Sequence, residues 1–271
     1  MAHEGLLISA TAPLALISRG LFQFFVLGDE IFPPGFALYF WMPRKLRFAP
    51  PGYYCHITQR GNYGQETFLS DSDRRLFLKL LGHHADARQV DVLAYCLMSN
   101  HFHLIARGTH DGGISRFMQG LNGQYAQLIH GRLSRRGRLW QERFYSCVLD
   151  GAHLRSALRY VELNPVRAGM AVDACRYPWS SAAFHGGAAT ASAAPRWLDM
   201  QAFDELYTVA EWRAYLAEGG SRVEHAAIRG ATQLAMPLGG PGFVERLEAE
   251  FHVLLGRPGG GRPRFKQGAA G

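Results

Sequence analysis

The chain has 271 residues, with 29 Lys and Arg against 22 Asp and Glu, a formal net charge of +7 and 48% hydrophobic residues. This length allows one large or two small domains, and the hydrophobic share excludes a wholly disordered chain. Four cysteines without a CxxC pair argue against a disulfide scaffold or a zinc ribbon. We therefore expect a reducing compartment, the cytoplasm.

The charge is distributed unevenly along the chain. Residues 1–41 carry −2, residues 42–190 carry +9 and residues 191–271 are neutral; 17 of the 19 basic residues in the middle segment are Arg. Guanidinium groups match phosphate oxygens and stack on bases, so the middle segment has the bias of a nucleic-acid-binding protein. A GC-rich genome produces the same Arg bias, and both interpretations stay open.

The first 41 residues are apolar but are interrupted by three charged residues and a proline pair between positions 19 and 34. No uninterrupted run reaches the roughly 18–20 residues that span a bilayer, so we expect no membrane partner. Glu4 stands where a signal peptide needs positive charge. Met42 opens a conventional start, which predicts that residues 1–41 are a mis-assigned or disordered leader. Peptides from before Met42 in the natural protein would reject this prediction.

Apolar spacing predicts alternating strands and helices from residue 53 onward. Four β-rich segments are predicted strands: Tyr53–Gln59, Val90–Leu97, His101–Ala106 and Phe144–Leu149. Three segments with helical spacing are predicted helices: Ser72–Arg88, Gly113–His130 and Ala152–Leu163, the last stopped by Asn164-Pro165. The order β-α-β-β-α-β plus a helix predicts an α+β fold, with a ferredoxin-like split βαβ sheet.

The C-terminal part changes in composition. Residues 183–195 are rich in Ala, Gly and Ser, which predicts a linker, and added helices are predicted at Thr208–Ala217 and Phe243–Leu255. We expect a domain at 42–184, followed by a C-terminal region at 185–271. Its tail holds two Gly-Arg-Pro units, at 256–258 and 261–263. They are similar to an AT-hook, and an ordinary disordered basic tail is the alternative.

His101 and His103 flank Phe102 within one predicted strand. The two-residue period of a strand places both imidazoles on one face and Phe102 on the other. Two histidines at this spacing can chelate one cation. Structural or surface histidines produce the same pattern, and both interpretations stay open.

Tyr160 and Asn164 lie four residues apart at the end of the last predicted helix, and therefore on one face. Tyr offers a phenol nucleophile and Asn offers a carbonyl oxygen to a metal. A core tyrosine followed by a helix stop before Pro165 gives the same pattern.

A basic segment interleaves arginines with aromatic residues. Its arginines are Arg132, Arg135, Arg136, Arg138 and Arg143, and Trp140 lies among them. Positive charge follows a phosphate backbone while aromatic faces stack on unpaired bases, so the segment is a candidate DNA contact. A solvated loop with a core tryptophan is the alternative.

Four runs stand in order along the chain: MSNHFHLI, LWQERFYS, RYVELNPVRAGM and RYPWSS. Together they resemble the single-tyrosine transposases of the IS200 type, in particular the REP-associated tyrosine transposases. The resemblance covers about residues 42–184, and IRGATQLAMPLGGPGFVERLEAEF is similar to their C-terminal region. It implies a fold of the HUH endonuclease type, a class named for two histidines that flank a bulky apolar residue.

By this resemblance His101, His103 and Asn164 would hold one divalent ion, Mg²⁺ or Mn²⁺, and Tyr160 would be the nucleophile. The smaller single-tyrosine transposases more often have Gln at the third ligand position, and Asn164 keeps the amide oxygen on a shorter arm. Tyr125 is a rival nucleophile, but Ile129 stands four residues on, where a ligand is needed.

The resemblance also implies an activity: metal-dependent nicking and joining of single-stranded DNA at hairpin or repeat sequences, through a covalent 5′-phosphotyrosine. Arg60 and Arg167 are further candidate backbone contacts, and a homodimer is expected. One alternative is a DNA-binding protein of this fold without catalysis. Another is a zinc hydrolase, which would need a further His, Asp or Glu ligand.

Overall fold

The computed structural model describes residues 47–255 in full, together with the backbone of three N-terminal strands. These strands are β1 (Ala15–Arg19), β2 (Phe22–Leu27) and β3 (Glu30–Phe32), which form an antiparallel sheet in that order. They belong to a unit that ends at Lys45, and a second unit begins at Leu46. The start at Met42 stays a prediction. The two Gly-Arg-Pro units lie outside the described residues.

The second unit is built on a four-stranded antiparallel sheet. Its strands are β4 (Tyr54–Arg60), β5 (Val90–Leu97), β6 (His101–Gly108) and β7 (Tyr145–Val148). They stand in the spatial order β5-β6-β4-β7. Helix α1 (Asp71–Arg88) joins β4 to β5, and α2 (Gly113–Leu133) joins β6 to β7. Each connection passes one intervening strand, so the predicted ferredoxin-like split βαβ sheet is confirmed.

Seven helices follow in the described part of the second unit. They are α3 (Gly151–Glu162), α4 (Asn164–Arg167), α5 (Ala182–His185), α6 (Met200–Asp204), α7 (Val209–Ala217), α8 (Arg222–Leu234) and α9 (Phe243–Glu250). The predicted ends of the sheet strands and of α1 to α3 agree with these bounds within three residues. Helix α9 ends at Glu250, before the predicted Leu255, and the sequence analysis does not predict α4, α5, α6 or α8. None of the described helices has the length and apolar character needed to cross a membrane.

The two faces of the sheet bury different side chains. Ile57, Phe102 and Leu104 pack under α1 and α2, with Phe77 and Phe117. Because strand residues alternate between faces, His101, His103 and their neighbours of the same parity face the other way. That second face is covered by α3 and the C-terminal helices. The two histidines therefore share a layer with the helix that carries Tyr160.

Residues 183–195, whose composition predicts a linker, lie close to the sheet. His185 at the end of α5 is fully buried, with its Nδ1 2.6 Å from the Glu162 carboxylate. Farther on, Leu198 forms a parallel bridge with Val92 of β5. The described part of the C-terminal region thus packs in the same unit as the sheet.

Candidate active site

Helix α3 places Tyr160 and Asn164 over the histidine face of the sheet. The Asp150 side chain caps α3 by accepting a hydrogen bond from the His153 N–H at 2.8 Å. Helix α4 begins at Asn164, directly after the single cap residue that ends α3, and Pro165 is in its first turn, where a missing N–H is tolerated. Tyr160 and Asn164 therefore stay on one side, 6% and 9% exposed.

The imidazole of His101 is oriented by its neighbour Asn100. His101 Nδ1 lies 2.7 Å from Asn100 Oδ1, while Asn100 Nδ2 donates to the Gly64 carbonyl at 3.0 Å. The second bond fixes the amide orientation, so Oδ1 accepts from the ring and the Nε2 of a neutral His101 keeps its lone pair. Burial, with a contribution from the charge of Arg60, lowers the pKa of His101 to about 4.

His103 is oriented by residues that lie far from it in the sequence. Its Nδ1 lies 2.9 Å from Nε2 of His56 on β4, and Nδ1 of His56 lies 2.7 Å from the Thr232 hydroxyl on α8. Burial lowers the pKa of His56 to about 3 and that of His103 well below its usual range, with the nearby positive charge of Arg167 acting in the same direction. All three imidazoles of this face are therefore neutral, as a metal ligand requires.

The Tyr160 ring packs against these imidazoles. Its centroid lies 5.7 Å from those of His103 and His56, edge-to-face in both cases, and 5.5 Å from that of His225 on α8. The Arg167 guanidinium lies 4.3 Å from the ring centroid and donates to the Tyr160 carbonyl at 2.9 Å. Burial lowers the pKa of Arg167, and the Tyr160 hydroxyl opposes this. The cation is thus placed to stabilise negative charge that develops on the phenol oxygen.

Asn164 uses its amide nitrogen within the helix. Nδ2 donates to the carbonyls of Tyr160 and Val161, at 3.0 and 3.3 Å. The amide oxygen is left to accept from another group or to bind a cation. Two neutral imidazoles and one amide oxygen form a donor set that fits a divalent ion such as Mn²⁺ or Mg²⁺. Within residues 47–255, no three His, Cys, Asp or Glu side chains form a metal-binding group.

A cavity of about 710 Å³ opens beside Tyr160. Arg167 and His225, which both contact the Tyr160 ring, line it together with Arg213 and Arg222. Three guanidinium groups against the single carboxylate of Asp173 give the cavity a net positive lining, which favours an anionic occupant.

Most of the predicted DNA-binding arginines lie at the end of the sheet where β6 begins. Arg60 is exposed and pairs opposite His101. Four others are exposed between α2 and β7: Arg135, Arg136, Arg138 and Arg143. Gln65 anchors this segment by donating to the carbonyls of Arg138 and Leu139, at 3.3 and 3.1 Å. The basic segment is therefore fixed near the histidine end of β6.

Arg132 and Trp140 are engaged by partners within the protein. The Arg132 guanidinium forms a salt bridge with the buried carboxylate of Asp73. Trp140 Nε1 donates to the Asn122 carbonyl at 3.0 Å, and its ring lies 5.7 Å from that of Phe102. These contacts lie on the α1/α2 side of the sheet. Contact of either residue with DNA stays a prediction.

Tyr125, the rival nucleophile, lies on the opposite side of the sheet from the histidines. It is fully buried among the side chains of α1 and α2, and its hydroxyl donates to the Thr67 carbonyl at 2.7 Å. Burial raises its pKa. A phenol in this position has no access to the candidate site.

Three residues of the site lie outside the sequence prediction: His56, His225 and Thr232. The one signal for His56 is its position in a strand, with the parity that faces His103 once the register is known. His225 and Thr232 can be recognised as site residues only once α8 is known to be a helix that packs on the site. The contacts of α8 with the site are a finding of the structure.

Arg159 joins α3 to the start of α8. Its guanidinium donates to Glu218 at 3.2 Å and to Glu224 at 3.1 Å, and lies 3.8 Å from the ring centroid of Tyr215. Glu224 also closes a capping box with Ser221 at the N-terminus of α8. This group of contacts holds α8 against the helix that carries Tyr160.

Replacing Arg159 by Met keeps much of the side-chain volume and removes both ion pairs. We expect the free energy of unfolding to fall by about 1–3 kcal/mol, because hydrogen bonds between charged groups are lost. Urea denaturation followed by circular dichroism measures this. Arg155→Met on the same helix is the control, with an expected change within about 0.5 kcal/mol. Equal stability of the two variants would contradict the prediction.

Comparison with known proteins gives one family. Residues 51–164 match the family described as "Transposase IS200 like". No curated protein matches the chain.

Several solved structures match the chain, and two of them are transposases. One is a REP-associated tyrosine transposase bound to a REP hairpin, with 17% identity over 52% of this chain and 82% of that one, at a TM-score of 0.45. The other is a transposase candidate from Deinococcus radiodurans, with 18% identity over 47% of this chain and 98% of that one, at a TM-score of 0.33. Both scores are low, so the fold rests on the strand order and register described above.

Proposed function

Because residues 51–164 belong to the IS200-like transposase family, we propose that this chain nicks and rejoins single-stranded DNA through a phosphotyrosine at Tyr160. The observation that supports this most is that Tyr160, four residues before Asn164, packs against His103, whose ring lies 5.1 Å from that of His101. A phosphodiester is anionic and resists attack, so nucleophile and neutralising groups have to meet at one place.

We propose that His101, His103 and Asn164 hold one Mg²⁺ or Mn²⁺. When bound, the ion would neutralise and orient the scissile phosphate. The neutral state of both imidazoles and the internal use of the Asn164 amide nitrogen support this ligand set. Mixed nitrogen and oxygen ligands suit Mn²⁺, whereas cellular abundance favours Mg²⁺.

In the proposed reaction the Tyr160 oxygen loses its proton to solvent and attacks the phosphorus. The bond from phosphorus to the 3′ oxygen breaks, and that oxygen takes up a proton to become a 3′-OH. The 5′ phosphate remains esterified to Tyr160. Because one ester replaces another, a 3′-OH can reverse the step without ATP. Arg167 stabilises the charge on the attacking oxygen.

We propose that the strand passes between the cavity beside Tyr160 and the basic segment at the start of β6. The cavity offers three arginines, and the basic segment offers exposed arginines close to His101. Hairpin or repeat DNA is the proposed target, following the resemblance of the four sequence runs. A homodimer is part of the proposal, and light scattering checks it.

The proposal is tested with hairpin oligonucleotides labelled at either end, incubated with the full chain and Mn²⁺. We expect an adduct stable in denaturing gels that carries only the 3′-end label, and a released fragment that a polymerase extends from its 3′-OH. Chelation with EDTA should prevent both. Specific hairpin binding without an adduct in any divalent ion would overturn the proposal and favour a non-catalytic DNA-binding protein.

The exposed arginines of the basic segment lead to a separate prediction about the salt dependence of DNA binding. Replacing Arg135, Arg136 and Arg138 together by Gln is expected to lower the slope of log affinity against log salt by about 2, because each phosphate contact to a single strand contributes about 0.7. Arg88→Gln is the control, since α1 ends at the opposite end of the sheet from His101. Fluorescence anisotropy across salt concentrations measures both. An unchanged slope in the triple variant would contradict the contact.

A further inference from the structure

Helix α8 contacts the candidate site through Thr232, far along the chain from the segment that matches the family. Thr232 Oγ1 lies 2.7 Å from the Ile228 carbonyl and 2.7 Å from His56 Nδ1. His56 Nε2 lies 2.9 Å from His103 Nδ1. All four groups are buried. They form one continuous chain of hydrogen bonds that ends on a proposed metal ligand.

The direction of each hydrogen bond in this series follows from the bond to the Ile228 carbonyl. The Ile228 carbonyl can only accept, so the single hydrogen of the Thr232 hydroxyl is used there. The Thr232 oxygen then accepts from His56, which places the ring proton of His56 on Nδ1. The Nε2 of a neutral His56 is therefore an acceptor, and the proton of His103 has to be on Nδ1.

This order leaves the lone pair of His103 on Nε2. We propose that Thr232 and His56 are positioning residues that hold His103 in the tautomer able to bind a cation through Nε2. Metal-bound histidines generally donate their other ring N–H to a fixed partner, which sets both tautomer and ring orientation. His56 with Thr232 would be that partner here. This inference rests on the proposed function for its metal.

The two proposed histidine ligands differ in how they are held. His101 donates to Asn100, the preceding residue, which is fixed by Gly64. His103 depends on Thr232, which is 129 positions later in the chain. The C-terminal region therefore completes the support of one ligand and not of the other. Arg159, through Glu224, holds the N-terminal end of the same helix.

The test measures the metal-free protein first. Long-range proton–nitrogen NMR of ¹⁵N-histidine-labelled full chain reports which ring nitrogen of His103 carries the proton. We expect the Nδ1–H form in the unaltered chain and in Thr232→Ser, which keeps the hydroxyl. Thr232→Val removes it and should give a mixture of tautomers. The Nδ1–H form retained in Thr232→Val would overturn the proposal.

Manganese affinity, followed by electron paramagnetic resonance without DNA, is the second readout. Thr232→Val should weaken Mn²⁺ binding by about 10- to 100-fold, and Thr232→Ser should restore it. Thr67→Val is the control: it removes another buried hydroxyl, from the residue whose carbonyl accepts from Tyr125, and should leave Mn²⁺ affinity unchanged. Equal affinities in Thr232→Val and the unaltered chain would overturn the proposal.

If Thr232→Val fails to fold, His56 provides a second pair of variants. His56→Gln keeps an acceptor for His103 Nδ1 and should retain Mn²⁺ affinity, whereas His56→Leu should lose it; equal affinities of the two would overturn the proposal. The outcomes separate the two proposals. If Mn²⁺ affinity falls in Thr232→Val but the unaltered chain forms no DNA adduct, the result supports the positioning role of Thr232 and contradicts the nicking activity. An unaltered chain that binds no Mn²⁺ would overturn both.

Discussion

Replacing Tyr160 by Phe is expected to abolish the covalent DNA adduct while hairpin binding and the fold persist. The substitution removes one oxygen atom and leaves the ring that packs against His103, His56 and the Arg167 guanidinium. Without the nucleophile no phosphotyrosine forms, so we expect adduct formation to fall at least about 1,000-fold. Labelled hairpin DNA in denaturing gels measures the adduct, and anisotropy measures binding.

Tyr207→Phe is the matched control for this loss. Tyr207 stacks on Tyr215 at 5.6 Å, away from the histidine face, and is half-buried. Removal of its hydroxyl should leave adduct formation at the level of the unaltered chain. An adduct of normal yield in Tyr160→Phe would show that another residue is the nucleophile.

The sequence predicts the part of the site that follows from local periodicity. The two-residue period places His101 and His103 on one face, and the four-residue spacing places Tyr160 above Asn164. That both pairs meet on the same face is a finding of the structure, in which α3 covers the face opposite to α1 and α2.

Helix α8 has a start signal in the sequence that the prediction does not use, because Ser221 and Glu224 have the spacing of a capping box. Only Ile228 and Thr232 are buried along its 13 residues, and Gly230 lies between them. What the sequence does not give is the packing of this helix, because the Thr232 hydroxyl and the Arg159 contacts join it to residues far away along the chain. His56 was missed for a related reason, since its partner is known only from the strand register and from α8.

The arginines of the basic segment show the same limit of prediction from sequence. Arg132, Arg135 and Arg136 are alike in sequence, but Arg132 reaches a buried Asp73 on another helix. A count of arginines cannot separate a guanidinium that holds two helices together from one that faces solvent. The partner lies 59 positions earlier in the chain. Only the packing of α1 on α2 distinguishes the two roles.

The position of Tyr160 depends on a second buried group on α3. Glu162 is fully buried and points away from the sheet histidines, toward α5 and α7. Its carboxylate accepts hydrogen bonds from three partners: the Ser181 hydroxyl at 2.5 Å, His185 Nδ1 at 2.6 Å and Trp212 Nε1 at 2.8 Å. A helix fixed on this side can present Tyr160 and Asn164 on the other.

Replacing Glu162 by Ala is therefore expected to destabilise the protein strongly. It leaves three buried donors without their acceptor, and since each unsatisfied buried donor costs about 1–3 kcal/mol we expect the free energy of unfolding to fall by about 3–5 kcal/mol. Urea denaturation measures the free energy of unfolding, with the exposed Glu205→Ala as control, expected within about 0.5 kcal/mol. A loss below about 1 kcal/mol in Glu162→Ala would mean that apolar packing alone, between α3 and Trp212, holds the tyrosine helix in place.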